Sequence, residues 1–196
     1  EKDSDGYDLF NPTWKVDCNE PHYRKDKNGK KIPYATPPGP SELIGTPVLY
    51  KEKIYCAIGQ DPEHGDGVGR LTCIDAKTGK VVWKNTDIGR TISTISVADD
   101  LVYLAEYAGI IHCLDANTGK VYWTYDSFSR IWGSTLVVDG KVLLGNEDGD
   151  LLVMDHGKDK PKVKLVGMGA PVYSSPVFAN GTLYIATQTH LYAIGK

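Results

Sequence analysis

The chain has 196 residues, of which 41% are hydrophobic and 24% are charged, and its formal net charge is −3. These proportions are typical of a globular protein. The chain has 22 basic and 25 acidic residues, so no excess of positive charge is available to neutralise a phosphate backbone. We therefore expect no nucleic acid partner. No apolar run approaches the roughly 20 residues that a membrane-spanning helix needs. The first residue is Glu1, which predicts a mature form or a fragment.

The N-terminal part of the chain differs in character from the rest. Residues 11–17 contain Trp14 in a Trp-x-x-Asp pattern that recurs at 123–126, and we predict an outer strand over 11–17. Residues 18–43 are charged and then rich in proline, a composition that cannot bury a core. We therefore expect a long surface loop there. Its basic run at 24–31 either stays solvated or contacts an acidic partner.

A spacing of 40 residues runs through the remainder of the chain. Asp75, Asp115 and Asp155 are each 40 residues apart, and Trp83 and Trp123 repeat the interval. Repetition at this period indicates stacked copies of one supersecondary unit. A second shared run, apolar and strand-like, precedes each aspartate and occurs once more near the end, which makes four copies. We predict one domain that contains all four copies, at about 44–86, 90–126, 130–166 and 171–196.

Each copy has the pattern of successive antiparallel strands. Short runs rich in Val, Ile, Leu, Tyr and Thr are separated by Gly and Asp or Asn turns. Asp139-Gly140 and Asn180-Gly181 supply the positive φ angle that tight hairpins need. We predict an all-β protein with one four-stranded antiparallel sheet per copy. In the second copy the predicted strands A to D are 91–98, 101–107, 110–115 and 121–125.

The connection between strands C and D reads Asp-x-x-Thr-Gly in the first two copies. The Asp carboxylate accepts hydrogen bonds from backbone N–H groups of the turn, and Gly takes the left-handed position at its exit. The Trp four residues later offers an apolar face to the neighbouring copy and an indole N–H that needs an acceptor. We predict a structural role for all of these residues, which are Asp75, Thr78, Gly79, Trp83, Asp115, Thr118, Gly119 and Trp123, with Trp14 at the matching place in 11–17.

The two tandem motifs at 75–83 and 115–123 resemble the tryptophan-docking repeat of PQQ-like β-propellers. This resemblance covers about residues 44–196. The family includes the PQQ-dependent quinoprotein dehydrogenases and non-catalytic relatives such as the propeller lipoprotein of the bacterial outer-membrane assembly machinery. The resemblance implies a β-propeller in which each copy is a blade. Since such propellers are rings of about seven or eight blades, four blades imply half a ring.

The last two copies depart from the repeat. The third lacks the Thr-Gly pair after Asp155 and carries Val163 in place of Trp, so we expect a degenerate last strand. The fourth ends before any strand D. Residues 11–17 either close the ring by pairing with strand C of the fourth copy or end a preceding blade. Three arrangements stay open, namely a homodimer that completes the ring, a half-ring whose other half is missing, and a closed ring of four blades.

An insertion of about eight residues lies within 59–70, between strands B and C of the first copy. Long loops on a rigid scaffold are where function concentrates. Asp61, Glu63, His64 and Asp66 are candidate metal ligands, since carboxylates suit calcium and imidazole suits a transition metal. The alternative is a solvated acidic loop.

Trp132 begins a predicted strand A, where the matching positions hold Ile92 and Tyr173. We expect this position near the central channel, where an aromatic ring can stack on a flat ligand. The resemblance places the PQQ of quinoproteins in that region, which makes Trp132 a candidate cofactor-binding residue. Packing between blades is the alternative.

The four cysteines lack the CxxC or Cys/His spacing of a zinc site. Cys73 and Cys113 share a repeat position where the third copy has valine, which predicts buried apolar packing. Cys56 and Cys73 lie on adjacent predicted strands, and their spacing leaves open whether they face each other.

The functional expectation follows from what the resemblance requires. Catalytic relatives need PQQ, calcium, a catalytic Asp and usually a vicinal disulfide, but this sequence has no Cys-Cys pair and no residue that matches the Asp. We expect a non-enzymatic scaffold that binds a protein partner, and the resemblance implies the periplasm or another exported location in a bacterial envelope. Two alternatives stay open, a portion of a PQQ- and calcium-dependent dehydrogenase and a sensor domain of a larger signalling protein.

Overall fold

The computed structural model describes residues 2–8, 10–33, 36 and 39–195. These residues form four antiparallel sheets arranged as an open arc, which confirms the predicted all-β propeller of half-ring size. Part of the predicted proline-rich loop, at 34–35 and 37–38, and the last residue of the fourth copy lie outside the described residues.

We number the sheets as blades 1 to 4 in chain order. Blade 1 contains β1 (Val48–Tyr50), β2 (Lys53–Ile58), β3 (Arg70–Asp75) and β4 (Val81–Asn85). Blade 2 contains β5 (Ser96–Ala98), β6 (Leu101–Ala105), β7 (Ile110–Asp115) and β8 (Val121–Asp126). Blade 3 contains β9 (Leu136–Val138), β10 (Lys141–Gly145), β11 (Asp150–Asp155) and β12 (Val163–Gly167). Blade 4 contains β13 (Val177–Ala179), β14 (Thr182–Ala186) and β15 (Leu191–Ile194). Two 3₁₀ turns, Pro21–Tyr23 and Pro62–His64, lie in the connecting segments.

Each blade is a meander in which consecutive strands pair. The predicted strand C of blade 2 coincides with β7, whereas strand A is shorter than predicted because residues 91–95 bond to neighbouring blades rather than to β6. In blade 3, β12 forms a regular ladder with β11, from Val163 opposite Met154 to Gly167 opposite Asp150. The last strand of blade 3 is therefore regular, and the departure from the repeat is limited to its sequence, which has Val163 in place of Trp.

The core lies between the blades. Along β6, Leu101 and Tyr103 pack toward blade 3, whereas Val102 and Leu104 pack toward blade 1. This alternation follows from the two-residue period of a strand, and it makes β6 apolar throughout because both faces of blade 2 are covered. A smaller cluster that includes Leu151 joins blades 3 and 4.

The predicted outer strand over 11–17 is wrong. Within the described segment 10–33, these residues form no ladder with any strand. They lie instead on the outer face of blade 1, where Trp14 and Val16 pack against Ile58 and Ile74. A strand needs a neighbouring strand edge, and blade 1 offers this segment only a sheet face.

Blade 4 leaves the other end of the arc uncovered. In the described part of the chain, β15 pairs with β14 alone, so the predicted closure by 11–17 does not occur. Leu191 is 70% exposed on this strand, whereas the matching Leu71 of blade 1 is fully buried. The difference arises because no further blade packs on this face.

Three of the four tryptophans dock onto the next blade in the chain. The indole N–H of each of these three donates a hydrogen bond to a backbone carbonyl in the following C–D turn. The pairs are Trp14 with Ala76 at 3.1 Å, Trp83 with Ala116 at 3.0 Å and Trp123 with Gly157 at 3.0 Å. Trp14 thus occupies the docking position of a strand D although its segment is not a strand.

Glycine is required beside each docked ring in the first two turns. A Cβ atom on Gly119 would lie 2.5 Å from the ring of Trp83, and one on Gly79 would lie 2.6 Å from the ring of Trp14. Both glycines also have positive φ angles, near 70°. The Thr-Gly pair therefore serves turn geometry and ring contact together.

The carboxylate of Asp115 organises its turn. It accepts hydrogen bonds from the backbone N–H groups of Asn117 and Thr118 at 2.9 Å and from the Tyr122 hydroxyl at 2.6 Å. The Tyr122 hydrogen bond, followed by those of the backbone, lowers the pKa of Asp115 below its usual 3.8. The charged carboxylate is therefore the form that the fold stabilises.

Asp115→Asn is expected to lower the free energy of unfolding at pH 7 by about 1 kcal/mol, a modest value because the group is partly solvated. Since the folded-state pKa is lowered, the wild-type advantage exists above the unfolded-state pKa and is lost as pH falls through the folded-state pKa. Urea unfolding between pH 7 and pH 2.5 measures this. Tyr122→Phe is the control and should retain a smaller pH dependence. An Asp115→Asn penalty that stays constant with pH would contradict the assignment.

The register of blade 1 determines the side of the sheet to which each cysteine points. Cys56 lies opposite Thr72, and Cys73 lies opposite Tyr55, one register position away. The two side chains therefore point to opposite faces of blade 1 and do not face each other. All four cysteines, which lie within the described residues, are free thiols.

Candidate binding site on the inner rim

The first strands of the blades converge on the inside of the arc. Immediately before these strands, hydroxyl side chains link one blade to the next. The backbone N–H of Thr46 donates to Thr94 Oγ1 at 2.9 Å, that of Thr94 to Ser134 Oγ at 2.9 Å, and that of Ser134 to Ser175 Oγ at 2.8 Å. We call these four residues the hydroxyl belt. The belt fixes the spacing of all four blades through side-chain hydrogen bonds.

Small residues precede each member of the belt. They are Gly45, Ser93, Gly133 and Ser174. A Cβ atom on Gly133 would lie 2.5 Å from the carbonyl oxygen of Ser174, and one on Gly45 would meet the carbonyl oxygen of Ser93. The backbones of adjacent blades therefore approach closely at the small residues. As a result, the residues that come just before the small ones lie side by side in all four blades.

The residue before each small residue is aliphatic or aromatic in every blade. These residues are Ile44, Ile92, Trp132 and Tyr173, and we call them the inner rim. Ile44 is 44% exposed and Tyr173 is 39% exposed, while the other two are half-buried. The Trp132 and Tyr173 rings are 5.9 Å apart at an interplanar angle of 84°. The rim is thus a continuous apolar stripe across four blades.

A cavity of about 420 Å³ opens on the rim. Its lining joins three rim residues to the insertion between β2 and β3, since Ile44, Ile92 and Trp132 face Asp61 and Glu63 across it. Apolar side chains bounded by two carboxylates favour a ligand that has an apolar body and a positive group.

Trp132 is held by aromatic neighbours. Tyr107 lies 5.1 Å away at an interplanar angle of 85°, an edge-to-face arrangement. Arg90 stacks over Tyr107 at 4.4 Å, with Arg130 5.6 Å from the same ring. The Trp132 indole Nε1 is buried and has no hydrogen-bond partner among the described residues. Because Tyr107 and Tyr173 both pack against it, the ring is fixed in place beside the cavity.

The insertion 59–69 is a folded loop. Asp61 accepts a hydrogen bond from the N–H of Glu63 at 2.8 Å and caps the 3₁₀ turn Pro62–His64. The N–H of Val68 donates to Ser41 Oγ at 2.9 Å, and the Gln60 side-chain amide donates to the His64 carbonyl. These bonds hold Asp61 and Glu63 at the cavity mouth.

The loop carboxylates do not assemble into a metal site. His64 Nδ1 lies 3.8 Å from Asp61 Oδ2. In the part of the chain that the structure describes, no three side chains of His, Cys, Asp or Glu come close enough to hold an ion. Calcium takes about six to eight oxygen ligands, so these residues do not fit the calcium and PQQ of quinoproteins. A cation site at Asp61, Glu63, His64 and Asp66 stays a prediction without geometric support.

Comparison with known families decides the identity of the repeat. Residues 67–194 match the family described as outer membrane protein assembly factor BamB. The match extends over more than half of the chain. The chain belongs to this family. Membership confirms the PQQ-like propeller that the tryptophan-docking motifs resembled.

Solved structures share the fold of this BamB-family chain. BamB from Moraxella catarrhalis is 24% identical, with a TM-score of 0.64 over 79% of this chain and 47% of that one. The computationally designed Ika4 protein is 15% identical, with a TM-score of 0.63 over 79% of this chain and 92% of that one. Quinohemoprotein alcohol dehydrogenase from Comamonas testosteroni is 18% identical, with a TM-score of 0.60 over 76% of this chain and 29% of that one.

These likenesses concern the fold, since all three identities are low. The BamB-family chain spans about half of the Moraxella protein and less than a third of the dehydrogenase. A comparison with curated proteins gives no match. Among the described residues, no helix is long and apolar enough to cross a membrane.

Sequence reasoning located parts of this site without joining them. Trp132, Asp61 and Glu63 were separate candidates, and the structure places all three around one cavity. The hydroxyl belt and Ile44 were missed. The available signal was a short pattern, an apolar residue followed by a small residue and then Ser or Thr, at 44–46, 92–94, 132–134 and 173–175.

Proposed function

We propose that this BamB-family chain is a non-enzymatic scaffold that binds a protein partner in the bacterial cell envelope. The observation that carries the proposal is the inner rim, which presents one apolar side chain from each blade above a hydroxyl belt that fixes their spacing. Contiguous exposed apolar surface marks binding sites, and rigid aromatic anchors such as Trp132 carry much of the energy of protein interfaces.

The chemistry of the rim defines the partner. A row of apolar side chains spaced by successive blades matches an extended segment whose alternate side chains are aliphatic or aromatic. Asp61 and Glu63 at one end of the cavity complement a lysine or arginine in that segment. The partner is therefore an extended peptide segment with apolar anchors and a neighbouring basic residue.

Envelope location is supported by the family description, which refers to outer membrane assembly. The quinoprotein alternative gains no support from the geometry, because the rim does not provide a calcium ligand set. Completion of the ring by a second copy stays a prediction. The free edge of β15 and the unpaired residues 11–17 are the surfaces that it would join, and native mass spectrometry tests it through a mass of twice 21.5 kDa.

Selection from a displayed library of random linear peptides tests the scaffold proposal. We expect enrichment of sequences that combine aliphatic or aromatic residues with lysine or arginine. Trp132→Ala should weaken binding of the selected peptides by about tenfold or more, because it removes a central aromatic anchor. Phe10→Ala is the matched control, since Phe10 is 97% exposed and lies in the N-terminal segment away from the rim.

Fluorescence anisotropy of labelled peptides gives both dissociation constants. The proposal is overturned if no peptide is enriched, or if the enriched peptides bind wild type and Trp132→Ala equally. Circular dichroism of Trp132→Ala establishes that the blades are intact, so that a loss of affinity reports the rim rather than unfolding.

A further inference from the structure

Two of the four thiols share one apolar cluster. Cys18, in the N-terminal segment, is 4% exposed, and Cys56, on β2, is 6% exposed. Both belong to the cluster in which the segment covers blade 1, together with Ile58 and Ile74. The two thiols lie close enough in this cluster for each to shift the pKa of the other. The contact between the N-terminal segment and blade 1 therefore contains one thiol from each side.

The other two thiols lie in different surroundings. Cys73 lies in the core between blades 1 and 2, and Cys113 in the core between blades 2 and 3. Each is the sole cysteine among the described residues of its cluster. Cys113 Sγ donates to the Gly157 carbonyl at 3.6 Å, and burial raises the pKa of the Cys113 thiol to about 11. These two cysteines fill core positions and provide internal controls.

We propose that Cys18 and Cys56 form a disulfide bond that fastens the N-terminal segment to blade 1. The oxidant is a small-molecule or protein disulfide. The Cys18 thiolate attacks one sulfur of the oxidant, forming a mixed disulfide and releasing a thiolate. Cys56 then loses its proton and attacks Cys18 Sγ, releasing the second thiolate. Two thiols lose two protons and two electrons in total, and the oxidant is reduced to two thiols.

The position of each thiol assigns the order of attack. Cys18 lies in the N-terminal segment, whose described residues 10–20 form no strand, whereas Cys56 lies on β2 within a four-stranded sheet. The oxidant therefore reaches Cys18 first, and the Cys18 thiolate is the reactive form. The neighbouring Cys56 thiol lowers the pKa of the Cys18 thiol.

The oxidant reaches the buried pair through the N-terminal segment. Residues 10–17 form no ladder, and side chains tie the segment to blade 1 through the Trp14 indole hydrogen bond and the ion pairs of Glu20 with Arg70 and Lys84. Segments with few backbone hydrogen bonds open at low cost, so Cys18 becomes accessible without unfolding of the blades. Once formed, the bond closes the long loop between residues 18 and 56, and crosslinks across long loops restrict the unfolded chain most. The inference is independent of the proposed function.

Peptide mapping under non-reducing conditions tests the proposal on the wild-type chain after incubation with oxidised glutathione. Cleavage after lysine and arginine places the four cysteines on separate peptides, at 16–24, 54–70, 71–77 and 91–120. We expect 16–24 linked to 54–70, a loss of two hydrogen atoms from the intact mass, and two remaining thiols in denaturant. Reduction should lower Tm by roughly 5–10 °C.

Cys18→Ser and Cys56→Ser should each abolish the linked peptide and the redox dependence of Tm. Cys73→Ser leaves the linkage intact if it folds. Four titratable thiols after oxidation, a stable glutathione adduct on Cys18 without the linked peptide, or a linkage that involves Cys73 or Cys113 would each overturn the proposal. The mapping of the wild-type chain decides the matter even if a serine variant does not fold.

Discussion

Trp123→Ala is expected to lower the free energy of unfolding by about 3–5 kcal/mol, the range for removing a large buried aromatic side chain. Trp123 is 5% exposed, packs in the core between blades 2 and 3 and donates to the Gly157 carbonyl at 3.0 Å. Its loss creates a cavity and removes the stronger of the two hydrogen bonds to that carbonyl, since the remaining donor is the Cys113 thiol at 3.6 Å. Urea unfolding followed by circular dichroism measures the change.

Trp14→Ala is the matched comparison, because Trp14 makes the same indole hydrogen bond but is only half-buried and lies at the end of the arc. We expect the free energy of unfolding to fall by about 1–2 kcal/mol, because Trp14 buries less apolar area than Trp123 does. Equal losses for the two variants would contradict the view that docking between complete blades dominates stability.

Gly133→Ala is expected to lower the free energy of unfolding by about 1–3 kcal/mol, the usual range for inserting a group into a packed core. Gly133→Val is expected to lower it further. The new Cβ atom would lie 2.5 Å from the Ser174 carbonyl oxygen, which belongs to the backbone of the next blade and cannot rotate away. The blades must separate, which strains the Ser134 to Ser175 hydrogen bond of the belt. Thermal and urea unfolding measure the loss.

Gly167→Ala provides the control for Gly133. It also lies in a blade, on β12, but its nearest neighbour to an added Cβ atom is Asp150 Oδ1 at 4.0 Å. This substitution is expected to change stability by less than about 0.5 kcal/mol or to improve it, since alanine restricts the unfolded chain. If Gly133→Ala behaved like Gly167→Ala, the close approach of blades at the belt would be wrong.

The blades were predictable because local chemistry fixes them. Asp139 and Asn180 both adopt the positive φ angles that their hairpin turns require. The C–D turn could be derived from Asp115 and Gly119 alone, because an Asx carboxylate and a left-handed glycine serve neighbours within a few residues. Each of these features depends on residues close in sequence, and the 40-residue repeat gives blades 1 and 2 the same C–D turn.

The N-terminal segment was not predictable by the same reasoning. Trp14 matches a strand-D tryptophan in sequence and in docking, yet its segment is not a strand. A strand exists only where a partner edge is available, and that edge is a property of the assembled arc. Whether Cys56 and Cys73 face each other stayed open for a related reason, since it depends on the register between β2 and β3.

Ile44 and the hydroxyl belt escaped prediction because their signal is short. Ile44 lies 48 residues before Ile92, because the insertion at 59–69 lies between them, whereas the next two rim intervals are 40 and 41 residues. Threonine is common in strands, so residue type alone does not distinguish Thr46 and Thr94 of the belt from strand residues. Their role becomes visible only when neighbouring blades bring each N–H to the next hydroxyl.

Hydrogen–deuterium exchange of the chain, with and without a saturating rim-selected peptide, tests the central claim most directly. If the inner rim binds an extended segment, slowed exchange should be confined to residues 41–46, 59–69, 90–94, 130–134 and 171–175. Slowed exchange on β13 to β15 or on the outer strands β4 and β8 would contradict the account, as would an unchanged pattern at saturation.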